Sequence, residues 1–451
     1  MVFEPSYLKK EEVIDLLTKL TEEEFSRARE RSLTPLKSTV FFRGEGSYVY
    51  DVKGNRYLDM TAQAWTLNHG YVNSDIMYTV YEQMHYLTHV RYGYPTIPRI
   101  KLINALSELF NFEKVSLNNE GGGMAVEAAM KLSMVNRPGK DIFIVTYRGY
   151  HGASLATIAA SNPMPSVIRF EGFGVEHFRR VPYPYCYRCP FNKRFGECDF
   201  ECLTPVENLI KYDNNNNIAA MIIEPMQGPG GQIPSPPGYL ERLRSILHEN
   251  DILLIFDEAQ TAFGRIGKWS ASEYYNVKPD MMTLTKALGG GFPVGALLAG
   301  GDLSGFTEGE EHTTFGSDPV LFAAALASIE VTKRMKLPER AERMGNYIMK
   351  RLLEMKDRHR LIGDVRGAGL FIGIELVREN KKPATEETEY ILQSAFEKGV
   401  IFDVSMPQIM KDEFTFRNVL KIKPPLIITE EEADRALQVL EECMGEVESG
   451  I

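Results

Sequence analysis

Three ionisable side chains follow short apolar runs in the middle of the chain, where buried strands are expected to end. Asp257 closes the run "LLIF", Lys286 follows "MMTLT", and Glu224 follows "AMII". Open parallel sheets bind ligands outside the carboxyl ends of their strands, so we expect these side chains to lie near one edge. An amine held beside carboxylates is suited to covalent chemistry on a carbonyl group.

A glycine run, "EGGGMAVEAAMKL", opens a predicted helix and brings Gly122 and Gly123 to its start. The free N–H groups and positive dipole end of such a helix favour a phosphate. Lys286 lies in "MTLTKALGGGFPVG", residues 282–295, which holds no other charge. That stretch alone fits a solvated lysine before a loop, but together the three features favour a reactive amine.

An amine, a carboxylate and a phosphate cradle together suit pyridoxal 5'-phosphate. Its aldehyde forms a Schiff base with a lysine, and a carboxylate keeps its pyridine nitrogen protonated so that the ring accepts electrons. Each feature is common alone, and their occurrence together at strand ends carries the prediction.

The elements that position these residues alternate between apolar strands and helices. The clearest strands are "DIFIVTY" at 141–147, "IAAMIIEP" at 218–225, "ILLIFDEA" at 252–259 and "DMMTLTKA" at 280–287, with helices such as "PGYLERLRSILHENDI" between them. This pattern predicts an α/β fold whose parallel sheet is covered on both faces.

The two ends of the chain have a different pattern. Residues 7–31 are predicted to form one or two amphipathic helices, and "SYVYDVKGNRYLDM" alternates around a turn as a β-hairpin does. After residue 335 the pattern is α+β. We therefore expect a large cofactor-binding domain over 66–332 and a smaller α+β domain built from 1–65 and 333–451.

Composition narrows the class of partner. The chain has 451 residues, a formal net charge of -10 and 44% hydrophobic residues. The acidic balance argues against nucleic acid or a membrane surface as the main partner. The N-terminus lacks a basic start and apolar core, and runs such as "ILLIF" are too short to span a bilayer. We expect a soluble, cytoplasmic protein that acts on small molecules.

Four of the five cysteines cluster in "CYRCPFNKRFGECDFEC". Cys186, Cys189, Cys198 and Cys202 have a spacing that suits a structural zinc site, two disulfides or free thiols in an insertion. We do not expect a catalytic metal there, because no neighbouring His or carboxylate would complete an open coordination site.

The chain resembles the class III pyridoxal-phosphate-dependent aminotransferases of fold type I over nearly its whole length, from "YVYDVKGNRYLDM" to "NVLKIKPPLIIT". The most specific match is "IFDEAQTAFGRIGKWSASEYYNVKPDMMTLTKALGGGFPVG". The resemblance implies a mostly parallel seven-stranded sheet in the large domain. It also implies an enzyme that transfers amino groups.

The resemblance carries roles onto single residues. Lys286 matches the Schiff-base lysine, which also moves the proton of the reaction, and Asp257 matches the carboxylate on the pyridine nitrogen. Tyr150 in "GYHG" matches the ring stacked on the cofactor. Thr314 in "HTTFGSDP" matches a threonine that reaches the neighbouring subunit's phosphate, which implies a homodimer and leaves a tetramer open. The other implied cofactor contacts are Gly122, Gly123, Met124, His151, Glu224, Gln260 and Thr313.

Departures from the family pattern bear on substrate. Met124 replaces an acid in "GGGMA", so the cradle should depend on backbone N–H groups and on Thr313 and Thr314. In "LKIKPPL", Lys421 stands where relatives that act on glutamate have an arginine for the α-carboxylate. In "QGPGG", Pro229 stands where some of them hold a glutamate that pairs with that arginine. We therefore expect no arginine–glutamate switch.

Two further positions bear on recognition. Ala153 in "YHGAS" stands where ω-amino-acid transaminases often have arginine, so no clamp for a distal carboxylate is evident. Trp65 in "AWTLNHG" resembles a tryptophan of amine transaminases, although a purely structural Trp fits equally. Lys421 and Trp65 are the expected substrate contacts, with Arg417 as the alternative basic residue.

The sequence predicts a transaminase that moves an amino group from an amine, ω-amino acid or amino acid to a 2-oxo acid. An amino-acid racemase or epimerase, or a phospho-lyase of the same family, would share these motifs. A non-catalytic cofactor-binding protein is disfavoured by the intact pair of Asp257 and Lys286.

Overall fold

The computed structural model describes residues 7–162, 172, 174–212, 216–407 and 417–450. The helices in this part of the chain are α1 (Lys10–Thr18), α2 (Glu22–Arg31), α3 (Ala62–Trp65), α4 (Ser74–Met84), α5 (Ile97–Phe110), α6 (Gly122–Asn136), α7 (Leu155–Ala160), α8 (Thr204–Tyr212), α9 (Tyr239–Glu249), α10 (Ala271–Tyr275), α11 (Pro319–Arg334), α12 (Leu337–Arg358), α13 (Thr385–Glu397) and α14 (Glu430–Ser449). The strands are β1 (Phe41–Glu45), β2 (Tyr48–Asp51), β3 (Arg56–Asp59), β4 (Lys114–Asn118), β5 (Ile142–Thr146), β6 (Phe178–Val181), β7 (Ile218–Ile223), β8 (Met226–Gln227), β9 (Ile233–Pro234), β10 (Leu253–Asp257), β11 (Met281–Leu284), β12 (Gly295–Ala299), β13 (Ile362–Ala368), β14 (Phe371–Leu376), β15 (Val400–Ile401), β16 (Asp403–Val404) and β17 (Val419–Ile422).

A seven-stranded sheet in the order β4-β12-β11-β10-β7-β5-β6 forms the centre of the molecule. β12 runs antiparallel to both of its neighbours, and the other pairs are parallel. Every residue of β5, β7, β10, β11 and β12 is buried. Burial on both faces explains why these strands read as continuous apolar runs. The predicted mostly parallel α/β sheet is confirmed.

Successive residues of each strand point to opposite faces, so the sheet supports two apolar cores. Ile222 of β7 and Ile255 of β10 pack with Val126 of α6 in one core. Met221 of β7 and Leu254 of β10 pack with helix α9 in the other. Helices therefore cover both faces and fix the strand ends on which the site is built.

Two smaller sheets are built from the ends of the chain. One has the order β1-β2-β3-β15 and includes the predicted hairpin, while the other has the order β13-β14-β17-β16. β15 pairs in parallel with β3, which joins the N-terminal hairpin to the C-terminal part of the chain. In the second sheet Asp403 lies directly opposite Lys421 in the antiparallel ladder.

The N-terminal segment forms two helices, α1 and α2, and neither has a buried residue. Thr21 separates them, because its side chain accepts from the N–H of Glu24 in a capping box that starts α2. Among the described residues, none of the helices combines the length and the apolar character needed to cross a bilayer.

Candidate active site

A cavity of about 680 Å³ lies beyond the carboxyl ends of β10 and β11. Asp257 is the last residue of β10, and Lys286 follows β11 by two residues. The residues singled out from the sequence that line this cavity are Trp65, Gly122, Gly123, Met124, Tyr150, His151, Ala153, Pro229, Asp257, Gln260, Lys286, Arg417 and Lys421. The fold thus brings together residues from seven separate stretches of the chain.

Lys286 begins a short 3-10 turn, and its own φ of 52° lies in the left-handed region that non-glycine residues rarely adopt. The turn is held in place because Ser328 Oγ of α11 donates to the Ala287 carbonyl at 2.8 Å. Burial lowers the pKa of the Lys286 ammonium, and the charges of Asp257 and Glu224 oppose that effect only in part. A lysine with a lowered pKa supplies the neutral amine that attacks an aldehyde.

Asp257 is held by three donors from different elements. Its Oδ2 lies 2.8 Å from Nδ1 of His151, while its Oδ1 accepts from Ala259 N at 3.1 Å and Thr283 Oγ1 at 3.4 Å. Burial favours neutral His151, but the hydrogen bond and charge of Asp257 outweigh burial and raise the pKa of His151. The carboxylate is therefore fixed in orientation by contacts to both of its oxygens.

Glu224 lies behind the cavity wall. Its two oxygens accept from Tyr150 N at 3.0 Å and Gly228 N at 3.1 Å, so it ties the Tyr150 segment to the "QGPGG" loop. Burial raises the pKa of Glu224 to about 7. The sequence correctly placed Glu224 at a strand end, and the structure gives it a positioning contact to Tyr150.

The glycines at the start of α6 permit close approach of neighbouring groups. A Cβ on Gly122 would lie 2.7 Å from Cγ2 of Thr285, and a Cβ on Gly152 would lie 2.8 Å from Cα of Gly123. Gly121, which precedes α6, provides no side-chain cap, so the N–H groups of the first turn stay available to an anion.

Four buried polar atoms on side chains that line the cavity have no hydrogen-bond partner in the described part of the chain, and two of them belong to the expected cofactor contacts. These two are Oε1 of Gln260 and Nε2 of His151. A Cβ on Gly228 would overlap Oε1 of Gln260, so the glycine of the "QGPGG" loop makes room for that amide. Buried polar groups are rarely left unpaired in proteins, and these two fit a site built for a polar ligand.

Trp65 lies at the end of α3, a left-handed turn whose four residues have φ values between 43° and 67°. A left-handed turn of non-glycine residues is costly and is retained only where surrounding contacts enforce it. The Trp65 ring is buried, yet it lines the cavity and lies 5.8 Å from Nζ of Lys286. Trp65 is therefore buried as a structural residue would be, and it also lines the cavity.

The cavity wall beside Trp65 carries a charged group that the sequence did not reveal. Asp403 Oδ2 lies 3.0 Å from Nζ of Lys421 and 2.6 Å from Nζ of Lys423. Arg417 also lines the cavity, and its guanidinium is paired with Glu389 at 2.9 Å. The contact between Asp403 and Lys421 follows from the pairing of β16 with β17. It could have been predicted only by someone who knew the register of these two strands.

Thr313 and Thr314 do not line this cavity within the described residues. Thr314 is exposed, and the Oγ1 atom of Thr313 is buried with no partner in the same part of the chain. The neighbouring Phe315 is 58% exposed and packs on the ring of His89. Thr314 thus lies at the surface, whereas the hydroxyl of Thr313 does not.

The four clustered cysteines line one small cavity and none is in a disulfide. Burial raises the pKa of the Cys202 thiol to about 12. Among the described residues no group of three or more His, Cys, Asp or Glu is arranged to hold a metal ion. Neighbouring residues dock the insertion, since Lys381 Nζ donates to the Tyr187 carbonyl at 3.2 Å.

A mostly parallel seven-stranded sheet with a lysine, an aspartate and a glycine-initiated helix at its carboxyl edge defines a pyridoxal-phosphate-dependent enzyme of fold type I. Residues 30–444 match the family described as Aminotransferase class-III. The chain belongs to this family and is a pyridoxal-phosphate-dependent enzyme.

Three known proteins show the range of the similarity. The leucine/methionine racemase of Thermococcus litoralis is 33% identical over 98% of this chain and 97% of its own length. The acetylornithine aminotransferase of Methanosarcina acetivorans is 35% identical, covering 90% of this chain and 91% of its own. The crystal structure of a pyridoxal-phosphate-bound amine transaminase from an uncultivated Pseudomonas species superposes with a TM-score of 0.82. It is 28% identical and covers 91% of this chain and 95% of its own.

Proposed function

We propose that this chain transfers an amino group from an amine or amino acid to a 2-oxo acid, with pyridoxal phosphate attached to Lys286. The observation that supports it most directly is the placement of Lys286, Asp257 and the start of α6 around one cavity. When bound, the cofactor supplies an electron sink for the substrate's Cα carbon. The protein supplies attachment, orientation and proton transfer.

The residues present fit that cofactor. Gly122 and Gly123 offer backbone N–H groups for its phosphate, and Asp257 offers a fixed carboxylate for its pyridine nitrogen. The unpaired Oε1 of Gln260 is available near the ring hydroxyl, and the Tyr150 ring lines the same space. His151 acts through Asp257, which it keeps oriented.

Lys286 has a second role in this proposal. With the cofactor bound, the neutral amine of Lys286 would accept the proton from the substrate's Cα carbon. Its lowered pKa supports this role, because the neutral form accepts the proton. Trp65 and Lys421 border the same space and are the proposed substrate contacts.

We also propose that the enzyme is a homodimer in which Thr313 and Thr314 approach the partner's cofactor phosphate. The exposed side chains of Tyr78, Tyr86, Tyr94, Ile97 and Phe315 support this proposal, since so much exposed apolar surface is typical of an interface.

The domain boundaries also remain our proposal: the large domain spans 66–332, and 1–65 with 333–451 form the smaller domain. The free thiols are consistent with a reducing compartment such as the cytoplasm.

Amino-acid racemisation is the second candidate, because a relative named as a racemase covers 98% of this chain at 33% identity. A racemase uses the same cofactor attachment but leaves the amino group on its carbon, removing the Cα proton and returning one to the opposite face. It therefore consumes no 2-oxo acid.

A donor screen distinguishes the two candidates. Amines, ω-amino acids and α-amino acids would each be paired with 2-oxoglutarate and with pyruvate, and chiral chromatography would follow the donor. Transamination predicts a new amino acid and an equal amount of the donor's oxo product. Appearance of the donor's other enantiomer without any new amino acid would replace our proposal by racemisation.

A further inference from the structure

Asp403 joins two lysines at the wall of the cavity. It lies opposite Lys421 across the β16–β17 ladder, and Lys423 is the first residue after the end of β17. A single carboxylate oxygen, Oδ2, serves both ammonium groups at 3.0 Å and 2.6 Å. The other oxygen, Oδ1, accepts from the N–H of Val404 at 2.8 Å.

The two lysines are not equivalent. Lys421 lines the cavity that contains Lys286, whereas Lys423 lines a neighbouring cavity of about 730 Å³. Asp403 lines both cavities, and 35% of its side chain is exposed, against 1% for Lys423. If Lys421 turned to another anion, Asp403 would keep Lys423 and the Val404 N–H and would not be left as an unpaired buried charge.

The basic groups at this wall outnumber the carboxylate that they contact. Two ammonium groups share one carboxylate, and both lie over the Trp65 ring at 5.0 Å and 3.3 Å. Burial lowers the pKa of Lys423 to about 7, the charge of Lys421 adds to that effect, and the charge of Asp403 opposes both. The charges of both lysines in turn hold the pKa of Asp403 below its usual range against the effect of burial.

We propose that Asp403 is an exchangeable partner of Lys421 that sets the affinity of the site for substrate carboxylates. A substrate carboxylate displaces Asp403 from Lys421, and Asp403 remains with Lys423. When the substrate has no carboxylate at that place, Lys421 returns to Asp403. The proposal rests on the proposed function and extends it to substrate class. Monocarboxylic amino acids and amines without a carboxylate would both bind at the Lys421 wall of the cavity.

The exchange has a definite consequence for affinity. Every carboxylate that binds Lys421 competes with Asp403, so the internal pair weakens binding of acids and does not affect neutral compounds of the same shape. Lys421 presents one flexible ammonium, which forms a single charge-assisted contact and lacks the fork of an arginine. Removing Asp403 should therefore tighten acid binding, and removing Lys421 should weaken it.

The test measures binding of isovalerate and of its neutral counterpart isovaleramide to the cofactor-loaded enzyme by calorimetry. Neither compound has an amine, so neither turns over, and the result does not depend on whether the enzyme is a transaminase or a racemase. We expect Asp403→Asn to tighten isovalerate binding about tenfold and Lys421→Met to weaken it about tenfold. Isovaleramide should change less than about twofold in both variants.

Two further variants keep the test decisive. If Asp403→Asn alone does not fold, Asp403→Asn combined with Lys423→Met removes one charge of each sign and should give the same tighter binding. Arg417→Met tests the competing basic residue. Unchanged or weaker isovalerate binding without Asp403, an equal effect on the amide, or loss of binding in Arg417→Met but not in Lys421→Met would overturn the proposal. Undetectable isovalerate binding in every variant would overturn it as well.

Discussion

Nδ1 of His151 lies 2.8 Å from Oδ2 of Asp257, and both side chains are buried beside the Lys286 cavity. Asp257 must stay ionised to hold a protonated pyridine nitrogen. The imidazole donates to the carboxylate oxygen that Ala259 and Thr283 do not use. His151 therefore keeps Asp257 oriented, and this gives a graded prediction.

Asp257→Ala should lower kcat by about 10²-fold or more while the protein still takes up some cofactor, because the electron sink is weakened and the phosphate cradle remains. His151→Asn should cause a smaller loss. Stopped-flow kinetics with cofactor content measured on each sample separates the effects. A near-normal rate for Asp257→Ala would rule out its role.

Lys286→Ala should lose covalent attachment of the cofactor and at least about 10³-fold in rate, since the nucleophile and the proton carrier vanish together. Borohydride trapping followed by peptide mapping identifies the attached lysine. Lys421 and Lys423 also lie by the Trp65 ring and provide matched controls. Label on either of them in the wild-type protein would contradict the assignment.

The lowered pKa of Lys286 predicts a shifted pH profile for attachment. In cofactor-free protein, the amine should be neutral at a lower pH than a free lysine, so its reaction with pyridoxal phosphate should remain fast at lower pH. Trapping rates measured against pH for the protein and for a lysine peptide provide the comparison. Coincident profiles would show that burial does not tune this amine.

Thr314→Ala should weaken cofactor binding by about 1 to 3 kcal/mol, the range for a hydrogen bond to a charged group. The exposed Thr307 is a suitable control, because Thr307→Ala removes a hydroxyl from a nearby loop without a proposed contact. Cofactor titration and sedimentation of both variants test the claim. A monomeric enzyme with full activity would exclude the shared site.

Gly152→Ala should lower the free energy of unfolding by about 1 to 3 kcal/mol. Its φ is 146°, and the added Cβ would lie 2.8 Å from Cα of Gly123, which is backbone and cannot turn away. Gly305 has open space around it and a φ outside the strained region, so Gly305→Ala is the control. Equal denaturation midpoints would show that this contact is not tight.

The sequence was enough to predict the sheet and most of the residues at the carboxyl ends of its strands, because both depend on local signals. Buried strands read as apolar runs, and Asp257, Lys286 and Glu224 follow those runs directly. Gly122 could be placed at a helix start for the same reason. The family resemblance supplied the residues that no local pattern marks, such as Tyr150 and Gln260.

The charged wall around Lys421 could not be predicted, because it depends on pairing between separate segments. Asp403 reaches Lys421 only through the register of β16 with β17. The left-handed turn that positions Trp65 contains no glycine and gave no local signal. Long-range register and strained backbone are set by tertiary packing, which a single sequence does not reveal.

The most direct measurement of the proposed transamination is a single half-reaction. Cofactor-loaded enzyme would be mixed with the amino donor that the screen identifies, with no oxo-acid acceptor present, and the products would be quantified. Transamination predicts about one equivalent of the donor's oxo product per active site, after which the reaction stops until a 2-oxo acid is added. Continuous formation of the donor's other enantiomer, with no oxo product, would contradict it.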